Sequence, residues 1–493
     1  MFRSQFAEIR DRPIRGCCSG PPHSLHQGVP MLDIDFKLTP ADLLPGIHKM
    51  WEASGLKLLS IEQNRAANTG TPVFTVDGIY QAQGWTEWTQ GFLSGSFLLQ
   101  FEATDDQQFL DIGRDHVRTH MASHLTHTGV HDHGFNNVST YGALWRLMNS
   151  GRIPENAQER DFCELALKCS GAVQAARWSN THDDGGYIYS FNGPHSLFCD
   201  TIRSLRSLSL AHMLKHALMG ENDRRISLLD RMITHALTTA RHNVYYGRGR
   251  DTYDVRGRVA HESIFNVNDG RYRCPSTQQG YSAFSTWTRG LAWIMCGYPE
   301  QLEFLQVVAD QELEELGGRT SIENEMLEAS QATCDFYIEQ TPTDGIPYWD
   351  TAAPGLSHMP DHLHQPSDPF NEWEPIDSSA AAIAAQGLLR LGRYLQNSDP
   401  SQAERYWQAG LTVLRTLLNP PYLSDDPAHQ GLLLHTIYHR PRGWDHVAAG
   451  AAIPFGESCM WGDYHLREVC IYLQSLISEG PAYCFFGPSA SSE

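Results

Sequence analysis

After the first forty residues, apolar positions recur at intervals of three and four, and only short stretches alternate as strands do. This periodicity predicts helices over 41–67, 84–103, 106–125, 134–150, 157–179, 196–219, 222–243, 285–297, 301–339 with a break near Gly317-Gly318, 377–394, 402–418 and 461–478. Some of these segments are rich in small and apolar residues, as in Ser378-Ser379-Ala380-Ala381-Ala382-Ile383-Ala384-Ala385, whereas others carry Glu, Gln, Asp and Arg. The first kind suits an inner, fully buried helix and the second an outer, half-solvated one. Turns at Ala103-Thr104-Asp105-Asp106, Gly220-Glu221-Asn222-Asp223, Gly297-Tyr298-Pro299-Glu300 and Asn397-Ser398-Asp399-Pro400 lead from inner to outer helices, each supplying a cap for the next. Long connections rich in Gly, Pro, His and aromatic residues occupy 180–195, 244–284, 340–376 and 419–460, and loops of that length in a compact domain are usually functional. Inner and outer helices in alternation, with short turns on one side and long loops on the other, describe an α/α toroid whose loops roof a pocket. No Pro/Ser linker divides the chain, so 41–493 reads as one domain behind a polar N-terminal extension, 1–40.

Charge narrows the choice of partner. Against 57 Asp and Glu stand 37 Lys and Arg, a formal charge of -20, and no basic run occurs in the 493 residues. That disfavours nucleic acid or an anionic membrane bound through a broad basic face and points to a small ligand. The 12 Trp and 19 Tyr suit stacking on sugar rings and suit a large core equally. Eleven cysteines at irregular spacing, with Cys17-Cys18 the only tight pair, fit neither a zinc motif nor a redox CxxC and predict free thiols. Residues 1–30 hold no apolar signal core, and no long apolar run follows, so the expected compartment is the cytoplasm; Met31 is an alternative start.

Several residues stand out chemically. His124, His127, His131 and His133 invite a metal reading, but no HExxH or carboxylate-bridged set accompanies them, so they are expected to be polar lining, with no metal or cofactor. Asp132 opens a helix, where an N-cap role is the simplest. Asp200 sits within an apolar helical stretch, where a carboxylate must be paired or face a cavity, and Arg203 at i+3 is the nearest partner. On a helix starting near Ser285, residues Thr286, Arg289 and Trp293 share a face, placing a cation and an indole at its mouth.

Taken in order, the stretches Trp88 to Gly95, His131 to Phe135, Asp200 to Ser204, His261, Gln279 to Trp293, Asp344 to Asp350 and Asp377 to Ala385 resemble the unsaturated glucuronyl hydrolases, glycoside hydrolase family 88. The likeness spans about residues 84–478. It implies an (α/α)6 barrel of six hairpins, in agreement with the twelve predicted helices, and release of 4,5-unsaturated uronic acid from lyase-cut oligosaccharides by hydration of a vinyl ether. It also implies Asp200 as general acid/base, Asp132 as a second essential carboxylate, and Trp88, His131, His261, Gln279, Arg289 and Trp293 as substrate contacts. The chain departs from the family pattern at Leu93, Leu291 and Ile202-Arg203-Ser204, and carries extra residues near 311–326. An unsaturated rhamnogalacturonyl hydrolase and a non-catalytic carbohydrate-binding toroid are the alternatives.

Overall fold

The computed structural model describes residues 31–64, 70–83, 87–478 and 482–487. Most of the predicted extension, Cys17-Cys18 and Gly84 to Thr86 lie outside the described residues. Among the described residues twelve principal helices follow in order: α1 Pro40–Asn64, α2 Gln90–Thr104, α3 Gln107–His120, α4 with a π-helical start Gly134–Gly142 continued by Ala143–Asn149, α5 Ala157–Ala176, and α6 formed by Thr201–Ser204 and Arg206–Met213. The rest are α7 Leu228–His242, α8 Thr288–Leu305, α9 Arg319–Glu339, α10 Ser378–Leu395, α11 Pro400–Leu417 and α12 Met460–Ile477. The even-numbered helices form a closed ring, each touching the next and α12 returning to α2, and the odd-numbered helices pack outside them. This is the α/α toroid the helical alternation predicts, in the (α/α)6 form the resemblance implies.

Local chemistry explains the turns. Asp106 caps α3 through Gln108 N at 3.0 Å, and Asp399 caps α11 through Gln402 N at 3.2 Å, as expected at both places. The other two expected turns are misplaced. Gly297 to Glu300 lies inside α8, buried, with Pro299 accommodated in the helix; the actual break comes later, where Gly317 and Gly318 take positive φ of 108° and 85° before α9. Gly220 to Asp223 joins a two-residue hairpin, Leu218–Met219 against Arg225–Ile226, and Ser227 is the cap of α7. Residues 31–39 also belong with the domain rather than with an extension. Leu32 is buried and bonds Ile338, and Asp33 N donates to Thr343 O at 3.0 Å.

The inner ring is tight enough for backbones to meet. A Cβ on Gly134 of α4 would stand 2.2 Å from the Ser204 carbonyl oxygen of α6, and one on Gly387 of α10 would stand 2.4 Å from the Met295 carbonyl oxygen of α8. Inside the ring, toward the short-turn end, three guanidiniums meet three carboxylates with almost no solvent. Arg203 pairs with Glu300 and, at 2.7 Å, with Glu468; Arg206 reaches Glu468 at 3.4 Å, and Arg390 holds Glu303 at 2.5 Å. Burial alone would raise the Glu468 carboxyl, yet Arg203 and Arg206 hold it far below the usual range. Arg203 is thus a bridge across the barrel axis, not the partner of Asp200 that its i+3 spacing suggested. Tyr483, Phe485 and Phe486 cover this end, Tyr483 donating to Glu468 at 3.1 Å.

Removing one member of such a network leaves buried charge uncompensated, which costs roughly 3–5 kcal/mol. Arg203→Met is therefore expected to lower unfolding free energy by about that much in guanidinium titration; a loss below about 1 kcal/mol, the worth of an exposed pair, would contradict the network's role.

Candidate active site

A cavity of about 280 Å³ opens at the end of the barrel where the inner helices begin, roofed by the long loops. Of the eight residues singled out from the sequence, seven line it: Trp88, His131, Asp132, Asp200, Gln279, Arg289 and Trp293. His261 is not among the lining residues. It stands behind them, 2% exposed, packed at 4.3 Å on Phe198 and 4.9 Å on Trp287.

The close approach at Gly134 brings the two aspartates together. Gly134 N donates to Ser204 Oγ, and Ser204 Oγ donates to the His131 carbonyl, each at 2.8 Å. One serine thereby ties the start of α4 to the first turn of α6, which gives the departure at Ser204 a structural role. Asp200 is the N-cap of α6 and Asp132 stands immediately before His133, the cap of α4, so Asp200 is at a helix start rather than within the helix as its apolar surroundings suggested. Asp132 O accepts the amides of Phe135 and Asn136, but neither carboxylate makes a side-chain cap bond. Between them lies His131, whose Nε2 is 3.3 Å from Asp200 Oδ1 and 3.7 Å from Asp132 Oδ1. Neither His131 Nε2 nor Asp200 Oδ1 is aligned for a hydrogen bond.

Burial pushes the Asp132 carboxyl up, and the nearby charge of Asp200 adds to this against the pull of His131. Asp200 is also opposed by burial, but His131 beside it and His261 beyond hold it below its ordinary value. His131, pulled down by burial, is held above its ordinary value by the two carboxylates. Burial and charge thus push the two carboxyls apart, Asp132 upward and Asp200 downward, with the His131 imidazole raised between them. For His261, burial takes the imidazole down to about 4; Gln278 N donates to its Nδ1 at 3.0 Å, so Nε2 carries the proton and has no partner.

Arg289 is more heavily engaged than its position at the cavity suggested. One guanidinium nitrogen donates to Asp377 at 2.8 Å and to the Ile437 carbonyl; the other donates to the Tyr438 carbonyl at 2.7 Å and Gln279 Oε1 at 3.1 Å. It clamps the 437–444 segment, which forms one wall. Asp377 also caps α10 and accepts from Ser379, and Ser379 Oγ accepts from Trp461 Nε1 at 3.0 Å. Trp461 stacks on Trp88 at 4.9 Å, and Trp293 packs on Phe135 at 4.8 Å, so two aromatic faces border the cavity on firm supports. α8 begins at Thr288, which leaves Thr286 outside the helix and bonded instead to Val259. Leu93 and Leu291 are core residues, at 0% and 1% exposure.

The histidine cluster does not converge on a common point. His133 bonds Ser170 at 3.1 Å and the His127 carbonyl at 3.0 Å, and His124 meets Asn136 at 3.2 Å. Among the described residues, the acidic and histidine side chains that do bring ligand atoms within 4.8 Å of one another are Asp77, His446 and Glu457, away from the two aspartates. Sequence reading missed Phe191, Trp287, Tyr438, His439, Arg442 and Trp444 in the cavity lining. Most of them sit on aperiodic loops, and the density of aromatic and histidine residues there was the available signal. A larger hollow of about 680 Å³ lies at the opposite end, where Glu102 is paired with Arg146 and neither aspartate is present.

Comparison with known proteins identifies the family. Residues 64–321 match the family described as Glycosyl Hydrolase Family 88. The unsaturated glucuronyl hydrolase of Bacillus sp. (strain GL1) is 27% identical over 397 residues, covering 79% of this chain and 86% of that one. The unsaturated chondroitin disaccharide hydrolase of Streptococcus agalactiae serotype III (strain NEM316) is 24% identical over 409 residues, covering 80% and 84%. The crystal structure of an unsaturated glucuronyl hydrolase from Streptococcus agalactiae superposes with a TM-score of 0.65 at 21% identity, covering 88% and 92%.

The clamp makes a prediction that needs no substrate. A lysine in place of Arg289 keeps the charge but loses the planar fork that holds two carbonyls and a carboxylate together. Arg289→Lys is expected to cost roughly 2–3 kcal/mol of stability and to open the 437–444 segment to proteolysis. Unchanged stability and unchanged cleavage would show that the guanidinium does not hold the wall.

Proposed function

The chain belongs to glycosyl hydrolase family 88 and is a glycoside hydrolase, and we propose that it releases a 4,5-unsaturated uronic acid from the non-reducing end of short oligosaccharides of the kind polysaccharide lyases leave. The single observation that carries this reading is the pair of unbonded carboxylates, Asp132 and Asp200, meeting across His131 at the floor of an aromatic-walled cavity. The names of the two curated relatives, a glucuronyl and a chondroitin disaccharide hydrolase, support the substrate class.

The chemistry asks for one proton and one water. In an unsaturated uronate the ring oxygen and the 4,5 double bond form a vinyl ether, so a proton added at C4 leaves an oxocarbenium-like centre at C5. Water attacks C5, loses a proton to the same carboxylate, and the hydrated ring opens and expels the neighbouring sugar. Asp200 serves as the group that donates and then regains the proton. Asp132, its carboxyl pushed up by burial, faces the same space from the other side of His131, where its charge stabilises the developing cation. Trp88 and Trp293 offer faces for the sugar, and Gln279 offers a polar contact from the wall, with His261 behind it.

Asp200→Asn and Asp132→Asn are each expected to reduce turnover by at least about a hundredfold, because general acid-base catalysis contributes roughly 10²- to 10⁴-fold. The readout is loss of ultraviolet absorbance from the conjugated double bond, with circular dichroism to confirm the fold. An Asp200→Asn enzyme retaining a tenth of wild-type rate would overturn the assignment.

Product made in heavy water is expected to carry deuterium at C4, and product made in oxygen-18 water to carry label at C5. Label at C1 with none at C4 or C5 would mean ordinary glycoside hydrolysis. Glucuronyl and galacturonyl disaccharides offered side by side separate the main reading from the rhamnogalacturonyl one, and binding without turnover would mark a carbohydrate-binding toroid. Because the proposed steps use only side chains, exhaustive chelation is expected to leave the rate unchanged; loss restored by zinc would require a metal step.

A further inference from the structure

We infer that His131 is more than a sugar contact: its imidazole and the Asp200 carboxyl share one proton, which His131 stores between turnovers and passes to Asp200 when substrate binds. The inference rests on the hydration reading above and assigns the source of the proton that reading requires.

The geometry carries it. His131 Nε2 stands 3.3 Å from Asp200 Oδ1, and both atoms are buried with no other hydrogen-bond partner. Catalytic contacts of this kind are often loose in the empty enzyme and tighten around substrate. The imidazole cannot easily turn away. It lies parallel to Phe191 at 6.1 Å and edge-on to Phe198 at 5.5 Å, while its backbone carbonyl is gripped at 2.8 Å by both Gln174 Nε2 and Ser204 Oγ.

The neighbours that face this pair leave the proton few other places to go. From α4's start comes Asp132, whose carboxyl burial pushes above its ordinary value. From α7 comes His235, fully buried, its Nδ1 accepting from Ile188 N at 2.9 Å; burial takes it down to about 3, so it stays neutral. His261 is neutral for the same reason. From the end of α5 comes Arg177, a fixed cation donating to the carbonyls of Thr128, Tyr189 and Ser190. His127 acts on Asp132 from the 121–133 connection. Among these described neighbours, His131 is the one base held above its ordinary range, by Asp132 and Asp200 against burial.

The proton balance closes. In the empty site the proton sits on Nε2 and Asp200 is a carboxylate. An anionic uronate arriving beside Asp200 disfavours a second negative charge there, and the proton moves from Nε2 to Oδ1, leaving a neutral imidazole and a carboxylic acid. Asp200 gives that proton to C4 and becomes a carboxylate; the water that attacks C5 returns a proton to Asp200, and on product release it goes back to Nε2. Each turnover consumes one water and no net proton.

Two measurements test this. The first follows the His131 ring by NMR across pH in wild type and in Asp200→Asn, without substrate. Proton sharing predicts a wild-type midpoint above the ordinary histidine value of about 6.5 and a clear fall in the variant; equal midpoints would overturn the inference. The second is the pH profile of kcat/KM. Wild type is expected to lose activity on the basic side as the imidazolium deprotonates, and His131→Gln, which keeps an N–H near Nε2 but cannot titrate, is expected to move that limb by about one pH unit or more, with the loss in kcat. A His131→Gln limb that coincides with wild type, with the loss confined to KM, would reduce His131 to a binding contact. Wild-type protein that consumes no unsaturated disaccharide would instead fail the proposed function, and the NMR titration separates that outcome from failure of the sharing.

Discussion

The closed inner ring depends on helix backbones approaching to contact. Six helices around one axis with ordinary side chains at every crossing would stand apart and leave a channel; here Gly134 lets α4 meet α6, and Gly387 lets α10 meet α8. Gly297 does the same between α8 and α6, where a Cβ would fall 2.9 Å from Arg203 N. The ring so drawn in leaves an axial space too narrow for a pore but large enough for long side chains. Arg203, Arg206, Arg390, Glu300, Glu303 and Glu468 occupy it, and because their charges balance, each buried guanidinium or carboxylate finds an opposite charge. The same contact at Gly134 sets the distance between Asp132 and Asp200, so the crossing that closes the barrel also assembles the site.

The net charge of -20 appears unsuited to an anionic substrate, and the fold resolves this locally. All six inner helices begin at the cavity end, so the positive ends of their dipoles converge there, and α4, α6, α8 and α10 present their first turns next to the lining residues. The guanidinium of Arg289 is fixed at the wall, and Arg442 lies on the lining. A field built from helix ends acts over short range, which fits small oligosaccharides that diffuse in; it does not attract a long polyanion from afar.

Much of this was legible in the sequence because it has a period. Inner and outer helices differ in composition, and Asp106 and Asp399 are acidic caps followed by amphipathic runs. Gly297-Tyr298-Pro299-Glu300 misled for a physical reason: glycine and proline together signal a turn, but this glycine serves close packing, and proline late in a helix is tolerated when the chain is held on both sides. Seven of the eight candidate residues do meet in one cavity, yet their bonding was beyond sequence reading. Nothing in the order of residues says that Arg289 holds the carbonyls of Ile437 and Tyr438, or that Arg203 reaches across the axis to Glu468, since each bond joins segments distant in the chain. The 437–444 wall was missed because its residues follow no period at all.

Asp132 and Asp200 also show what the site gives up. An aspartate at an N-cap ordinarily accepts an amide from the first turn, and Asp200 forgoes that bond at a cost of about 1 kcal/mol. Here both carboxylates turn away from their own helices toward the cavity and His131, and burial adds to the penalty. Deeper in the barrel, Arg203, Glu468 and their neighbours are sealed under Tyr483 and Phe486, away from solvent. The buried charge network holds the ring from within, while the unbonded carboxylates lie where the helices begin. The long loops can therefore change in length and sequence to reshape the pocket without disturbing the interactions that keep the ring closed.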